Sequence, residues 1–117
     1  METMTTEQIE ELSKGVFGSG HMLTLMAEIA RSETGKFSTP ALAASTGLPP
    51  SSIHTVLARL KRANLIRRTN EVTGDRIAIY ERRVHPTWAY ALQLKADADA
   101  QAAGTLALHW PSEARDT

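Results

Sequence analysis

The feature that most constrains the fold is a helix stop followed within three residues by a helix start. Gly47 suits the left-handed conformation that ends helices, and Pro50 suits the first turn of a new helix. Thr39, which a proline follows, forms a similar capped start upstream. We therefore predict a short helix over about residues 40–46 and a second over about residues 50–63. Two helices joined by so tight a turn must cross at a steep angle.

The second of these helices has one apolar face and one polar face. Its branched aliphatic residues recur at the spacing i, i+3, i+4, i+7, which places them on one stripe facing a core. These residues are Ile53, Val56, Leu57 and Leu60. The opposite face carries Ser51, Thr55, Ala58 and Arg62, flanked by His54 and Arg59. Pro49 stands where a side-chain cap is usual. We therefore expect this helix to lack the stabilisation of about 1 kcal/mol that such a cap provides.

Three further helices are predicted around this pair. The first is expected from a cap at Thr5 to about Ser13, with Gly15 ending it. The next is expected over about residues 21–32, where apolar residues again follow helical spacing. The last is expected over about residues 87–103, after a proline that permits a new start. The chain is thus predicted to be mainly helical.

A hairpin is predicted between the second helix of the central pair and the last helix. Asn64 falls where a helix needs a left-handed end residue, and Asn is the best choice after glycine. Strands are predicted over residues 65–68 and 76–81, with the turn over residues 70–75. Phe37 is expected in a very short extended segment.

The ordered set of these elements resembles the winged helix-turn-helix family of DNA-binding domains, in its MarR, ArsR and PadR-like branches. The resemblance is carried by Phe37, Leu42, Ala43, Gly47, Leu48, Ser51, Ser52, Ile53, Leu57, Leu60, Leu65, Ile66, Arg67 and Arg68. It covers residues 17–83, with Asn64 and Pro49 as departures from the family pattern. It implies a mainly α fold with a small β-hairpin, a winged helix-turn-helix with extra N- and C-terminal helices. We expect one domain over residues 1–103 and a loose tail over residues 104–117.

The charges of the chain are unevenly distributed although the formal net charge is zero. Residues 51–88 carry eight cations and three anions. Residues 1–50 carry three cations and six anions, and residues 89–117 carry two cations and four anions. Such a basic centre can attract a polyanion, while the plainer interpretation is a solvated charged face.

The resemblance implies that the helix of residues 50–63 enters the major groove of DNA and that the hairpin lies beside it. Short polar side chains are then expected to reach base edges, and cations to bind guanine or phosphate. The predicted DNA-binding residues are Ser51, Ser52, His54, Thr55, Arg59, Lys61, Arg62, Arg67, Arg68, Thr73 and Arg76. If about five of these cations neutralise phosphates, affinity should fall with salt at a log–log slope of about −4 to −5 per protomer.

Simpler roles are open for several of these side chains. Ser51 and Ser52 could be first-turn residues of a structural helix, and His54 could be an ordinary exposed polar residue. Arg82 and Arg83 could pair with Glu81 or with the acidic flanks. DNA binding is nevertheless favoured, because the helix of residues 50–63 and the hairpin are both basic and both belong to the surface that faces DNA in the family that the chain resembles.

The sequence offers little chemistry for an enzyme. It contains no cysteine, which excludes disulfides and cysteine-based metal or redox sites. The glycines of residues 15–20 follow no strand and precede no phosphate-loop lysine. His85 and His109 with Asp97 or Asp99 could form a metal site between subunits, but their spacing is not diagnostic. We therefore expect no catalysis, no cofactor and no metal.

The expected partners are double-stranded DNA and a second copy of the chain. The resemblance implies a homodimer, with segments 6–17 and 87–103 as the candidate interface, and Trp88 packs either on a partner helix or on its own core. No apolar run of about eighteen residues and no signal peptide is present, so we expect a cytoplasmic protein without membrane contact. The predicted function is a sequence-specific transcriptional regulator, a repressor. The alternatives are a segregation or replication accessory protein that coats DNA non-specifically, and a winged-helix module that docks a protein.

Overall fold

The computed structural model describes residues 6–112 and contains five helices and three strands in that range. In chain order these elements are α1 (Thr6–Phe17), α2 (Met22–Arg31), β1 (Lys36–Phe37), α3 (Thr39–Thr46), α4 (Pro50–Arg62), β2 (Ile66–Val72), β3 (Ala78–Arg82) and α5 (Thr87–Ala103). The predicted mainly α class with a small β element is confirmed. Within the described range, no helix combines the length and the apolarity needed to cross a membrane.

The core is built around α2. Its residues Met22, Leu25, Met26 and Ile29 follow the predicted spacing and are at most 7% exposed. α2 packs against α1, α3, α4 and α5, so one helix sets the positions of the other four.

α1 is longer than predicted. It passes through Gly15 and ends only at Phe17, where Gly18 adopts a left-handed φ of 73°. The predicted end at Ser13 is wrong because the Ser13 hydroxyl is fully buried as part of the packing between α1 and α2. It accepts the Leu23 amide at 3.0 Å and donates to the Ser19 carbonyl. It thereby accepts a hydrogen bond from one of the amides in the first turn of α2, which have no acceptor within the helix. The predicted cap at Thr5 lies outside the described residues.

The tight turn between α3 and α4 forms as predicted, with one correction at the start of α3. The cap is Ser38, whose hydroxyl accepts the Ala41 amide at 3.3 Å, and the predicted cap Thr39 is the first helical residue. Either hydroxyl suits the role, and the extended backbone of Ser38 decides it. Gly47 is left-handed with φ 72°, and Pro49 provides no side-chain cap for α4.

The three strands are antiparallel in the order β1-β3-β2, so the predicted extended segment at Phe37 extends the hairpin. β2 continues to Val72, and the chain reverses over residues 73–77, where the Thr73 amide donates to the Ile77 carbonyl at 3.0 Å. The predicted turn over residues 70–75 therefore starts too early. Polar residues are typical of turns, but on this edge strand they remain exposed and do not prevent pairing.

Arg82 joins the sheet to the core. Its guanidinium donates to the Ile29 carbonyl at 2.9 Å and to the Ser32 carbonyl at 2.8 Å, at the C-terminal end of α2. Each of these carbonyls also accepts a backbone amide, and a cation here adds a further hydrogen bond to each and complements the helix dipole. The expected alternative, in which Arg82 pairs with Glu81, is wrong because Glu81 binds Arg67 on the other face of the sheet.

α5 closes the core from the C-terminal side. Trp88 is 5% exposed within its own chain, and its indole nitrogen donates to the Arg83 carbonyl at 2.8 Å. Trp88 therefore packs on its own core rather than on a partner helix. Gly104 ends α5 with φ 74°, and residues 105–110 form no helix or strand.

Replacing Arg82 with alanine should lower the free energy of unfolding by about 2 kcal/mol, because two hydrogen bonds from a charged donor to helix-end carbonyls are lost. Urea unfolding measures the change. Arg83→Ala is the matched control, since the exposed Arg83 side chain has no hydrogen bond or ion pair within residues 6–112. Equal loss in both variants would contradict the structural role of Arg82.

Candidate nucleic-acid interface

Packing of α4 on the core fixes which of its faces points outward. Ile53, Val56, Leu57 and Leu60 are at most 3% exposed and form the buried seam of the helix. This seam packs against α2, α3 and β2. Because the four residues recur at helical spacing, burying them leaves the opposite face in solvent.

The face opposite the seam carries Ser51, Thr55, Ala58 and Arg62, which are all exposed and which we call the crest of α4. At about 100° per residue they fall within an arc of about 60°. Exposed His54 and Arg59 flank the crest, and Ser52 is half-buried to one side. The Thr55 hydroxyl donates to the Ser51 carbonyl at 3.0 Å. The predicted helix residues thus lie on the outward side, although Ser52 is less accessible than the others.

The last turn of α4 is basic and reaches the sheet. Arg59, Lys61 and Arg62 lie there, where cations complement the helix dipole. The Lys61 ammonium is 5.9 Å from the ring centroid of Tyr80, within the range of a cation–π contact. Tyr80 in turn stacks on Phe37 at a centroid distance of 5.8 Å. These contacts identify the face of the sheet that lies beside α4.

The two faces of the sheet separate neighbouring arginines. Arg68 is paired with Tyr80, and Arg67 is paired with Glu81, in adjacent positions of the register. Since side chains alternate along a strand, Arg68 shares the face beside α4, while Arg67 lies on the opposite face. The predicted pair of DNA-binding arginines is therefore divided between two surfaces.

The face that carries Arg67 is neutralised by ion pairs. The Arg67 Nε lies 2.6 Å from the Glu81 carboxylate, and the Lys36 Nζ lies 2.6 Å from the Glu71 carboxylate. The hydrogen bond and the charge of Glu71 raise the pKa of Lys36 above its ordinary value. Such exposed pairs add little stability, but they reduce the attraction of this face for a polyanion.

The tip of the hairpin is organised by Thr73. Its hydroxyl accepts the amides of Asp75 at 3.2 Å and Ile77 at 3.1 Å, which holds the turn. Arg76 is exposed at the tip with a left-handed φ of 63°. Thr73, a predicted DNA contact, thus also shapes the turn through its side chain. The exposed side chain of Arg76 has no such structural role.

Ion pairing divides the cations of the described region into two groups. Outside α4, the hairpin and Arg83 directly after it, every lysine and arginine of residues 6–112 pairs with a carboxylate: Lys14, Arg31, Lys36 and Lys95. Lys61 and six arginines of α4, the hairpin and the segment after it join none of the ion pairs found there, although Arg82 is held by backbone carbonyls: Arg59, Arg62, Arg68, Arg76, Arg82 and Arg83. The uncompensated charge is therefore concentrated on α4 and the sheet. Within the same residues, no cluster of three potential metal ligands is found.

An amphipathic second helix after a tight turn, with a hairpin beside it, defines the winged helix-turn-helix class. A variant of MarR from E. coli matches 94% of this chain and 80% of its own chain at 11% identity, with a TM-score of 0.64. AbsC, a MarR family transcriptional regulator from Streptomyces coelicolor, matches 95% and 75% at 20% identity with a TM-score of 0.60. A probable transcriptional regulator from Pseudomonas aeruginosa matches 94% and 83% at 18% identity with a TM-score of 0.62.

The likeness to these structures confirms the winged helix-turn-helix fold. A match to ZitR from Lactococcus lactis spans only 56% of that chain, over 74% of this one, at 11% identity and a TM-score of 0.54. No protein-family model and no curated protein matches this sequence.

Replacing Ile53 with alanine should lower the free energy of unfolding by about 3 kcal/mol, because a fully buried branched side chain is lost from the seam. His54→Ala, one residue further on the exposed side, should stay within about 0.5 kcal/mol of the original chain. Denaturant unfolding of both variants tests the orientation of α4. A reversed order of the two losses would contradict it.

Proposed function

We propose that this chain is a sequence-specific transcriptional regulator, a repressor, that binds duplex DNA as a cytoplasmic homodimer. The observation that carries the proposal is that, within residues 6–112, the arginines without a carboxylate partner cluster on the crest of α4, beside it, on the hairpin and directly after it. The lysines and arginines of residues 6–112 that lie away from this surface are paired with carboxylates, so the unpaired positive charge of this region is concentrated on one surface.

The shape of α4 supports duplex DNA as the polyanion. The major groove admits a helix, and small or polar outward residues allow close approach to base edges. Ser51, His54 and Thr55 lie toward the N-terminal half of α4, the part that such helices commonly present to bases. In this proposal Arg59 binds guanine or phosphate, and Arg62 binds phosphate.

The hairpin supplies phosphate contacts in this proposal. Arg68 lies on the sheet face beside α4, and Arg76 lies at the tip. Arg67 contributes less because Glu81 already neutralises it. With about four phosphates neutralised per protomer, the log–log salt slope should be about −3 to −4. This slope is less steep than the slope expected if every arginine of the hairpin bound a phosphate.

Exposed apolar residues on the terminal helices support the homodimer. Val16 on α1 is 41% exposed, and Tyr90 and Leu92 on α5 are 51% and 36% exposed. Phe17 and Tyr90 contact edge to face at a centroid distance of 6.3 Å, which joins the two helices into one surface. A two-fold dimer through this surface would place two α4 helices about one DNA turn, roughly 34 Å, apart.

The proposal is tested by selecting bound fragments from a random duplex library with the full chain. A palindromic pair of half-sites, bound with the stated salt slope, supports a homodimeric regulator. Sequence-blind, length-dependent binding would indicate a coating protein, and absence of duplex binding would indicate a protein-docking module. Either of these results would overturn the proposal.

Arg68→Ala and Arg67→Ala form a matched pair of variants in adjacent positions. Loss of Arg68 should weaken binding to a selected duplex and make the log–log salt slope about one unit less negative per protomer, because one phosphate contact is lost. Loss of Arg67 should leave the slope unchanged, since its charge is already compensated. A fluorescence-anisotropy salt titration measures both slopes. The assignment of the two sheet faces fails if Arg67→Ala produces the larger change.

A further inference from the structure

The middle of the crest carries no free hydrogen-bond donor. Ala58 offers only a methyl group, and it lies almost directly opposite the buried seam. Thr55 lies one turn earlier and uses its hydroxyl hydrogen on the Ser51 carbonyl. Its oxygen can still accept a hydrogen bond, and its methyl group is the remaining branch of the side chain. The centre of the crest thus presents one acceptor and two methyl groups.

The edges of base pairs in the major groove differ in what they require from such a surface. Guanine presents two acceptors there, which need donors that neither Thr55 nor Ala58 supplies. Adenine and cytosine each present an amino group that an acceptor can bind, and only thymine presents a C5 methyl group. Both kinds of pair can therefore bind the Thr55 oxygen, and both leave two acceptors without a partner from these residues. The thymine methyl group is what distinguishes an A·T pair, because it can contact the methyl groups of the crest.

We propose that α4 reads A·T base pairs at the centre of each half-site through the methyl groups of thymine, which contact Ala58 and Thr55. The inference rests on the proposed function, because it assumes that the crest enters the major groove. Hydrogen-bonding discrimination falls instead to His54 and Arg59, which flank the crest and keep free polar groups. Ala58 is also small enough to let the helix backbone approach the base pairs closely.

The first test changes only the DNA. In a duplex selected with the full chain, each thymine is replaced in turn by deoxyuridine, which lacks the C5 methyl group. Binding should weaken about fourfold for each central thymine, the factor expected for one buried methyl-sized group. Thymines outside the contacted centre should show no change. Because the protein is unaltered, a loss of binding cannot come from misfolding.

The second test changes the protein and measures the ratio of affinities for the thymine and deoxyuridine duplexes. Ala58→Gly should reduce this ratio from about four to about one at the base that Ala58 contacts. Ala63→Gly is the matched control, since Ala63 is exposed at the end of α4 and off the crest. It should keep the ratio of the original chain. A ratio within one variant is insensitive to the weakening of the helix that glycine causes.

The outcomes separate this inference from the function on which it rests. If no sequence-selective duplex is obtained, both the proposed function and this inference are overturned. If palindromic sites are obtained but have G·C pairs at their centres, or bind equally well with deoxyuridine, the inference alone is overturned. Methyl dependence that persists in Ala58→Gly would also overturn it.

Discussion

Burial of the α4 seam against α2, α3 and β2 sets the orientation of the helix and of its outward face. Ile53 is fully buried, and the other three seam residues are nearly so. A helix whose aliphatic side chains are held in this way has a fixed rotation about its axis, because a turn by one residue would move the seam by about 100° into solvent. The exposure of the crest follows from that rotation. The burial of the inward face therefore determines which side chains the outward face exposes.

The sheet depends on a second constraint, which ties it to the same core. Arg82 reaches the carbonyls at the end of α2, and Phe37 links β1 to Tyr80 in the centre of the sheet. The tilt of the hairpin relative to α4 is thus fixed by this link to α2 together with the direct packing of α4 on β2. This matters for function, because exposed Arg68 and Arg76 take part in none of these structural contacts and are left available on the surface.

Much of this arrangement could be predicted from the sequence because it rests on local rules. The seam of α4, the left-handed Gly47 and the left-handed Asn64 all follow from spacing and backbone preference. The placement of Arg67 and Arg68 on opposite faces of the sheet could also have been predicted. Buried Ile66 sets the phase of β2, and alternation then places Arg68 on the same side and Arg67 on the other.

Other features required contacts that are distant in the sequence. Arg82 binds atoms fifty or more residues earlier, so its spacing carries no sign of its role. The full length of α1 depends on the burial of Ser13 beneath the start of α2, which outweighs the weak helix preference of Gly15. The pairing of Glu81 with Arg67 rather than Arg82 likewise depends on which face of the sheet each occupies.

Backbone amide chemical-shift mapping, with a selected duplex added to the full chain, tests directly whether the outward face of α4 and the Arg68 face of the sheet bind DNA. We expect the largest shifts in α4 and on the strand positions that share the face of Arg68, with smaller changes in α1 and α5 when the dimer is already formed. Largest shifts on the face of Lys36, Arg67 and Glu81, or a surface of α4 that remains unperturbed at saturation, would contradict it.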